Sequence, residues 1–380
     1  MSHIDNHIRS IRDPSPGSSQ DGFSLVEVIV ATTVMLVVVG AVLSLVGGSL
    51  KVATATYEMT DAQQNLRTAH EFINRDLMNA GDGLKSIDAI RVPEPFMLSY
   101  ITLTPVPACG AGICTLSIFT SDNNVPALTA ITGAVPAANV RTNTDRQTIL
   151  ALDPEFNADK GGAISLLPAA PLPLPARPAS INATGSTVTI PAVANGGPAM
   201  SIFNVGEVYF FNSGVGGVRA AFGTITAIDV GLRQLTFSAG DTYGLNNTGA
   251  AGHISFVSAN GTASTSLQRM KIIQYYVTDS KLLMRRVFGI QGAGVRASII
   301  AEHVLNVQFN YTLIVKDDTT GVVTPSQTMV LATSIQQLAV RQVEVTVTVE
   351  TPHVIRNGSQ PQLTMVTSTS VRNMQFRKAL

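Results

Sequence analysis

The sequence predicts an α+β protein: one long N-terminal α-helix, part membrane-crossing and part amphipathic, packed on a C-terminal antiparallel β-sheet domain with an elaborated β-rich insertion. Three observations predict it. No charged residue occurs between Glu27 and Lys51, and at about 1.5 Å per helical residue that stretch reaches roughly 35 Å, enough to cross a bilayer. Met59, Ala62, Leu66, Ala69, Ile73, Leu77 and Ala80 then recur every three or four residues, the apolar stripe of an amphipathic helix. Near the C-terminus the period changes to two: Val343, Val345, Val347 and Val349 alternate with Glu344, Thr346, Thr348 and Glu350, as in a half-buried strand.

Residues 1–22 are polar and rich in proline and serine, with Asp21 next to Gly22, and read as a leader to be discarded. The apolar helix occupies 23–50 and its amphipathic continuation 51–82, ended by Gly81-Asp82-Gly83. Asp61, Gln64, Arg67, Glu71 and Arg75 fall off the apolar stripe and are expected to face water. Gly40, Gly47 and Gly48 would permit close helix packing.

Glu27 is the anomaly in this segment. It lies one turn inside the apolar run, where an unpaired carboxylate costs about 2.5–3.5 kcal/mol. Ser24 and Glu27 have capping-box spacing, which satisfies backbone N–H groups but leaves the charge unexplained. The apolar core is too long for a secretory signal, and a plain signal anchor is the simplest alternative.

Gly22-Phe23-Ser24-Leu25-Val26-Glu27, at the head of this segment, resembles the processing site of type IV pilins and type II secretion pseudopilins. The resemblance implies that a prepilin peptidase cuts after Gly22 and methylates the new N-terminal Phe23. It also implies that Glu27, the fifth residue of the mature chain, serves subunit assembly. The leader departs from the family's usual pattern in being acidic beside the glycine, which weakens the positive-inside signal.

Residues 83–200 are expected to be an irregular, β-containing region. Strand-like runs at Met97–Leu103, Thr115–Thr120 and Thr148–Leu152 alternate with Pro/Ala-rich connections, and 166–180 reads as an extended linker. Cys109 and Cys114 flank a Gly-rich turn. In an exported domain a local disulfide between them is favoured over a redox or zinc site. Asp153, Glu155, Asn157 and Asp159 alternate in the manner of a calcium loop, but Ala158 replaces the glycine such a loop needs, and an exposed polar turn is expected.

Residues 201–380 are expected to form an antiparallel β domain. Ser201–Phe211, Ala220–Asp229 and Leu232–Ser238 read as a small meander. Met270–Val277 and Lys281–Phe288 read as a hairpin turning at Asp279-Ser280. Leu305 to Val315 alternates as another strand. Gln274-Tyr275-Tyr276-Val277 with Leu282-Leu283-Met284-Arg285-Arg286, and a closing Ser370-Val371-Arg372-Asn373, resemble the C-terminal pattern of PilW-like minor pilins and of J-type minor pseudopilins.

The charge balance, 25 basic against 25 acidic residues, carries no nucleic-acid footprint. His70-Glu71 lacks the second histidine of a zinc-protease helix, and Glu302-His303 has no visible nucleophile. No Gly-x-Ser-x-Gly elbow occurs, and Gly289 to Gly294 does not open a helix. The sequence therefore points to a non-enzymatic subunit with no cofactor and no bound metal. Taken with the resemblance, it is expected to initiate, cap or modulate type IV pilus assembly after prepilin peptidase cleavage. Its partners would be other major and minor pilins or pseudopilins. It would sit in the inner membrane with its globular domain exported and then pass into a pilus or pseudopilus. The alternatives are a minor pseudopilin of a type II secretion system and a signal-anchored exported enzyme or binding protein.

Overall fold

The computed structural model describes residues 22–82, 84, 90–101, 112–125, 129–130, 139–156, 158, 164–165, 181–182, 184–195, 197–212, 220–246, 254–255, 257, 266–290, 295–316, 320, 323–332, 334–353 and 360–371. The chain divides into two compact units, Met1–Tyr57 and Glu58–Leu380. Helix α1 spans Leu25–Asn79. In chain order the strands are β1 (Ile90–Pro93), β2 (Ile113–Leu116), β3 (Phe119–Asp122), β4 (Thr129–Ala130), β5 (Asn139–Val140), β6 (Arg146–Leu152), β7 (Ile164–Ser165), β8 (Thr187–Thr189) and β9 (Val208–Asn212). They continue with β10 (Ala220–Thr224), β11 (Ala227–Asp229), β12 (Gln234–Thr236), β13 (Ser266–Val277), β14 (Leu283–Phe288), β15 (Val295–Ala301), β16 (Val304–Lys316), β17 (Val323–Thr328), β18 (Val340–Glu350) and β19 (Gln362–Ser370).

β13 is the hub of the largest sheet. Its residues from Ser266 to Arg269 pair with β9, Met270 to Tyr275 with β6, and Ile272 to Val277 with β14, all antiparallel. β10 extends the sheet beyond β9, β15 beyond β14, and β3 beyond β6. A second sheet has the order β17-β16-β18-β19. Asp145 ties the two together, its carboxylate accepting the N–H of Asn124 at 2.8 Å and of Phe309 at 2.7 Å. Strands on both sides of residue 200 thus share one sheet, because β6 pairs directly with β13 and β3 joins through β6.

The main core joins the stripe of α1 (Ala62, Leu66, Ala69, Ile73, Leu77) to Ile273, Tyr275 and Val277 of β13 and to the five valines of β18. Along β9 the side chains alternate between two cores. Val208 and Phe210 enter the main one, while Tyr209 and Phe211 enter a second with Phe156, Leu235, Phe237 and Leu267. The large sheet is therefore covered on both faces at this end. The small sheet β11-β12-β8 contributes to the second core.

Several expectations from periodicity are corrected. Met97–Ile101 is a π-helical turn, not a strand: Pro95 presets a helical turn over Glu94–Phe96, and Phe96 and Met97 are buried by it. Residues 115–120 belong to two strands, broken at Ser117-Ile118. Ser201–Phe211 begins as a 3-10 turn at Met200–Ile202. The Glu207 carboxylate then reaches back to Asn204 N and Nδ2, both at 3.1 Å, before the strand starts at Val208. The expected meander splits between sheets, since β10 pairs with β9 whereas β11 pairs with β12. Asp153 opens a turn, Phe156 N–H donating to its carbonyl at 3.2 Å, in which Pro154 and Glu155 are exposed as expected; its own side chain is instead buried, and its carboxylate meets Arg269 at 2.6 Å.

Gly289 sits where β14 ends, with φ +89°, and a Cβ there would fall 2.8 Å from the Met270 carbonyl oxygen. Its own carbonyl accepts Val208 N–H at 2.9 Å, so the glycine closes two strands together. Gly292 and Gly294 lie outside the described residues.

Candidate functional site: the N-terminal motif and the seat of the helix

The candidate processing site lies at the start of α1. Gly22, Phe23 and Ser24 precede the helix, and Phe23 is 82% exposed. A Cβ at Gly22 would meet nothing within 4 Å. The first helical turn closes with Val28 N–H donating to the Ser24 carbonyl at 3.2 Å, and Glu27 stands exposed in that turn. The nearest base further along the helix is Lys51, roughly seven turns away.

Nearly every side chain from Phe23 to Val52 is exposed, including Leu25, Leu36, Leu43 and Leu45. So large an apolar surface in water would be unfavourable at about 25 cal/mol per Å². The threonines of this part of the helix spend their hydrogen bonds inside it. Thr32 Oγ1 donates to the Val28 carbonyl at 2.9 Å and Thr33 Oγ1 to Ile29 at 2.7 Å; Thr54 Oγ1 bonds the Leu50 carbonyl at 3.0 Å. Hydroxyls satisfied this way ask nothing of an apolar surrounding. By length and composition α1 is able to cross a membrane.

Beyond Glu58 the same helix is seated on the sheets by polar contacts that the sequence reading did not single out. Asp76 is buried; it accepts the Tyr275 hydroxyl at 2.6 Å, Arg285 Nε at 2.6 Å and Arg285 Nη2 at 3.2 Å. Burial raises the Tyr275 pKa, and the Asp76 charge raises it further. For Arg285 burial pulls the pKa down, but Asp76 outweighs it and the net shift is upward. Both partners therefore hold their protons and keep donating to Asp76.

His70 is the second buried polar residue of the seat. Its Nε2 lies 3.2 Å from the Met365 carbonyl and its Nδ1 2.7 Å from Thr367 Oγ1. A carbonyl only accepts, so Nε2 carries the proton and Nδ1 accepts from the threonine. Burial lowers the His70 pKa, partly offset by the bond to Met365. Asn74, one turn on, accepts the Thr369 hydroxyl at 2.7 Å. The signal for both residues was available: His70 follows Leu66 by four and Asp76 follows Ile73 by three, polar residues in positions the stripe marks as buried.

Cys114 is buried on β2 and disulfide-bonded, and Cys109 lies outside the described residues. Asp153, with Arg269, Glu207 and Tyr209, forms a buried network: Arg269 Nη1 to Glu207 at 2.8 Å and Tyr209 Oη to Glu207 at 2.6 Å. Asn157 and Asp159 are outside the described residues. Among the described residues no group of three or more histidine, cysteine, aspartate or glutamate side chains is placed to hold a metal.

A family model described as the prokaryotic N-terminal methylation motif matches residues 17–43, which include Gly22, Phe23 and Glu27. No curated protein and no solved structure was found to match the chain. The motif heads an exposed apolar helix, an arrangement consistent with a membrane-anchored, single-pass protein processed by prepilin peptidase. The chain carries a prepilin-type methylation motif, and this supports a type IV pilin-like or pseudopilin-like protein.

Proposed function

We propose that the chain is a minor pilin-like structural subunit, most like the PilW-like minor pilins, which acts by assembly and not by catalysis. One observation carries the reading: the methylation motif at 17–43 opens a helix whose apolar side chains are exposed all round until the amphipathic half begins. Cleavage after Gly22 would free the α-amine of Phe23. In a filament that cation neutralises Glu27 of a neighbouring subunit, and where water is excluded the attraction sets the register of addition. The buried carboxylates Asp76, Asp153 and Glu207 support a structural role for the globular unit, since arginine holds each of them in place.

Mass spectrometry tests this directly. Full-length chain extracted from membranes with an active prepilin peptidase is expected to begin at N-methyl-Phe23. An intact leader would remove the pilin-like assignment. Co-purification with secretion pseudopilins in place of pilins would move the chain to the sister assembly.

A further inference from the structure

The sheets of the globular unit end in edge strands that are not protected alike. β15 carries Arg296 and an extra residue, Ile300, where its register slips against β14. β17 carries Pro325, which has no N–H to offer. Both devices discourage a second chain from extending the sheet. β19 has neither: Gln362–Ser370 contains no charge and no proline, and its pairing with β18 runs without a register shift.

The phase of the β18–β19 ladder fixes which backbone groups point away from β18. Val371 N–H donates to the Arg341 carbonyl at 2.9 Å, and Thr351 N–H to the Pro361 carbonyl at 3.0 Å. Antiparallel ladders alternate, so the odd-numbered residues of β19 bond to β18. The N–H and C=O groups of Gln362, Thr364, Val366, Ser368 and Ser370 then point away from it. These five side chains are exposed, Val366 by 53%, and their outward backbone groups have no partner among the described residues. Helix α1 does not close this edge. Its polar contacts go to Met365, Thr367 and Thr369, all of the odd set.

We propose that the free edge of β19 binds β19 of a second copy of this chain, antiparallel about a two-fold axis through Val366. The edge is complementary to itself. With Val366 opposite its own copy, Thr364 faces Ser368 and Gln362 faces Ser370, so all outward groups pair and no like charges meet. A charged strand from another protein would find no counter-charge on this edge, which favours the neutral second copy. The inference concerns the unit from Glu58 to Leu380 and is independent of the pilin-like reading, whose test lies at Phe23.

Disulfide trapping of the full-length chain in its membrane tests the proposal. Val366→Cys is expected to cross-link to itself. Thr364→Cys mixed with Ser368→Cys is expected to give a heterodimer, whereas Thr364→Cys alone gives none. Val366→Pro removes an outward N–H without touching the ladder to β18. Added to the mixed pair, it is expected to lower cross-linking about tenfold, as loss of the central hydrogen bonds should. Circular dichroism unchanged from the parent checks that this variant is folded. No cross-link at position 366, or capture of a different protein there, would overturn the proposal. So would trapping that ignores register or survives Val366→Pro, because proximity through the membrane helix alone would then account for it.

Discussion

The two halves of α1 obey opposite rules within one continuous helix. From Leu25 to Tyr57 nearly all side chains are exposed whether apolar or not, whereas from Glu58 to Asn79 the apolar stripe Ala62, Leu66, Ala69, Ile73 and Leu77 is buried. Helical propensity does not account for the difference, since the first half holds ten valines and three glycines, weak helix formers, and is helical all the same. What differs is where the hydrophobic surface goes. The second half brings a stripe about one face wide and meets a sheet that matches it; the first is apolar all round, and no single face of a sheet could cover it. Polar residues follow the same division. Asp76 and His70 have fixed partners from β13, β14 and β19, while Glu27 has a helix turn and an apolar neighbourhood. A carboxylate satisfied within its own unit holds a fold together; Glu27 has no such partner among the described residues, and it is the one the proposed assembly would use.

The sharpest way to break this comparison is to remove one carboxylate from each half. Asp76→Ala leaves Arg285 and Tyr275 buried without their acceptor, and the globular unit should lose about 3–5 kcal/mol in urea unfolding. Glu27→Gln should leave that unfolding curve and N-terminal processing unchanged, yet be poorly recruited when other pilins are purified. Normal recruitment of Glu27→Gln would end the assembly role argued for this residue. A next test compares apolar truncations. Ile73 is fully buried, and Ile73→Ala should cost about 2–5 kcal/mol. Leu36→Ala, at a position 72% exposed, should leave the globular unit's stability unchanged. Equal losses at both positions would show that the halves are not energetically distinct.

The smallest effect concerns pH. His70 in the fold has its pKa below the ordinary value of about 6.5, so the unfolded chain binds the proton more readily. The stability it contributes is complete above about pH 6.5 and is lost as the pH falls below it. Wild type should therefore lose more stability than His70→Gln between pH 7.5 and pH 5.5, followed by urea denaturation. Hydrogen-exchange protection along β19, relative to the intrinsic rate at each pH, should fall over the same interval, because His70 contacts Met365 and Thr367 there. Identical pH dependence in the two proteins would remove histidine from the seat of the helix.

Sequence alone determined the parts whose physics is local. An uncharged run of membrane length, a three-and-four stripe and a period of two depend only on residues near one another, and they delivered α1, the β13–β14 hairpin, β16 and β18 close to their observed limits. Gly22, Phe23 and Glu27 could be named as candidates for the same reason, lying within six residues of one another in a motif that the family model also spans. Tertiary structure decided what depends on distant partners. Met97–Ile101 has a strand-like composition, but the turn set by Pro95 places Phe96 and Met97 in the core. Residues 220–229 read as one strand, yet Thr226 N–H bonds to Thr236 at 2.8 Å and takes the chain to a different sheet. Asp153 opens the surface turn that the sequence suggests, but Arg269, far along the chain, draws its carboxylate into the interior. Asp76 finds Tyr275 and Arg285 only because the helix is laid across the hub strand and its neighbour. Periodicity records which face of an element is apolar; it holds no record of which element will cover that face, because the pairing energy belongs to two segments that meet only in the folded chain.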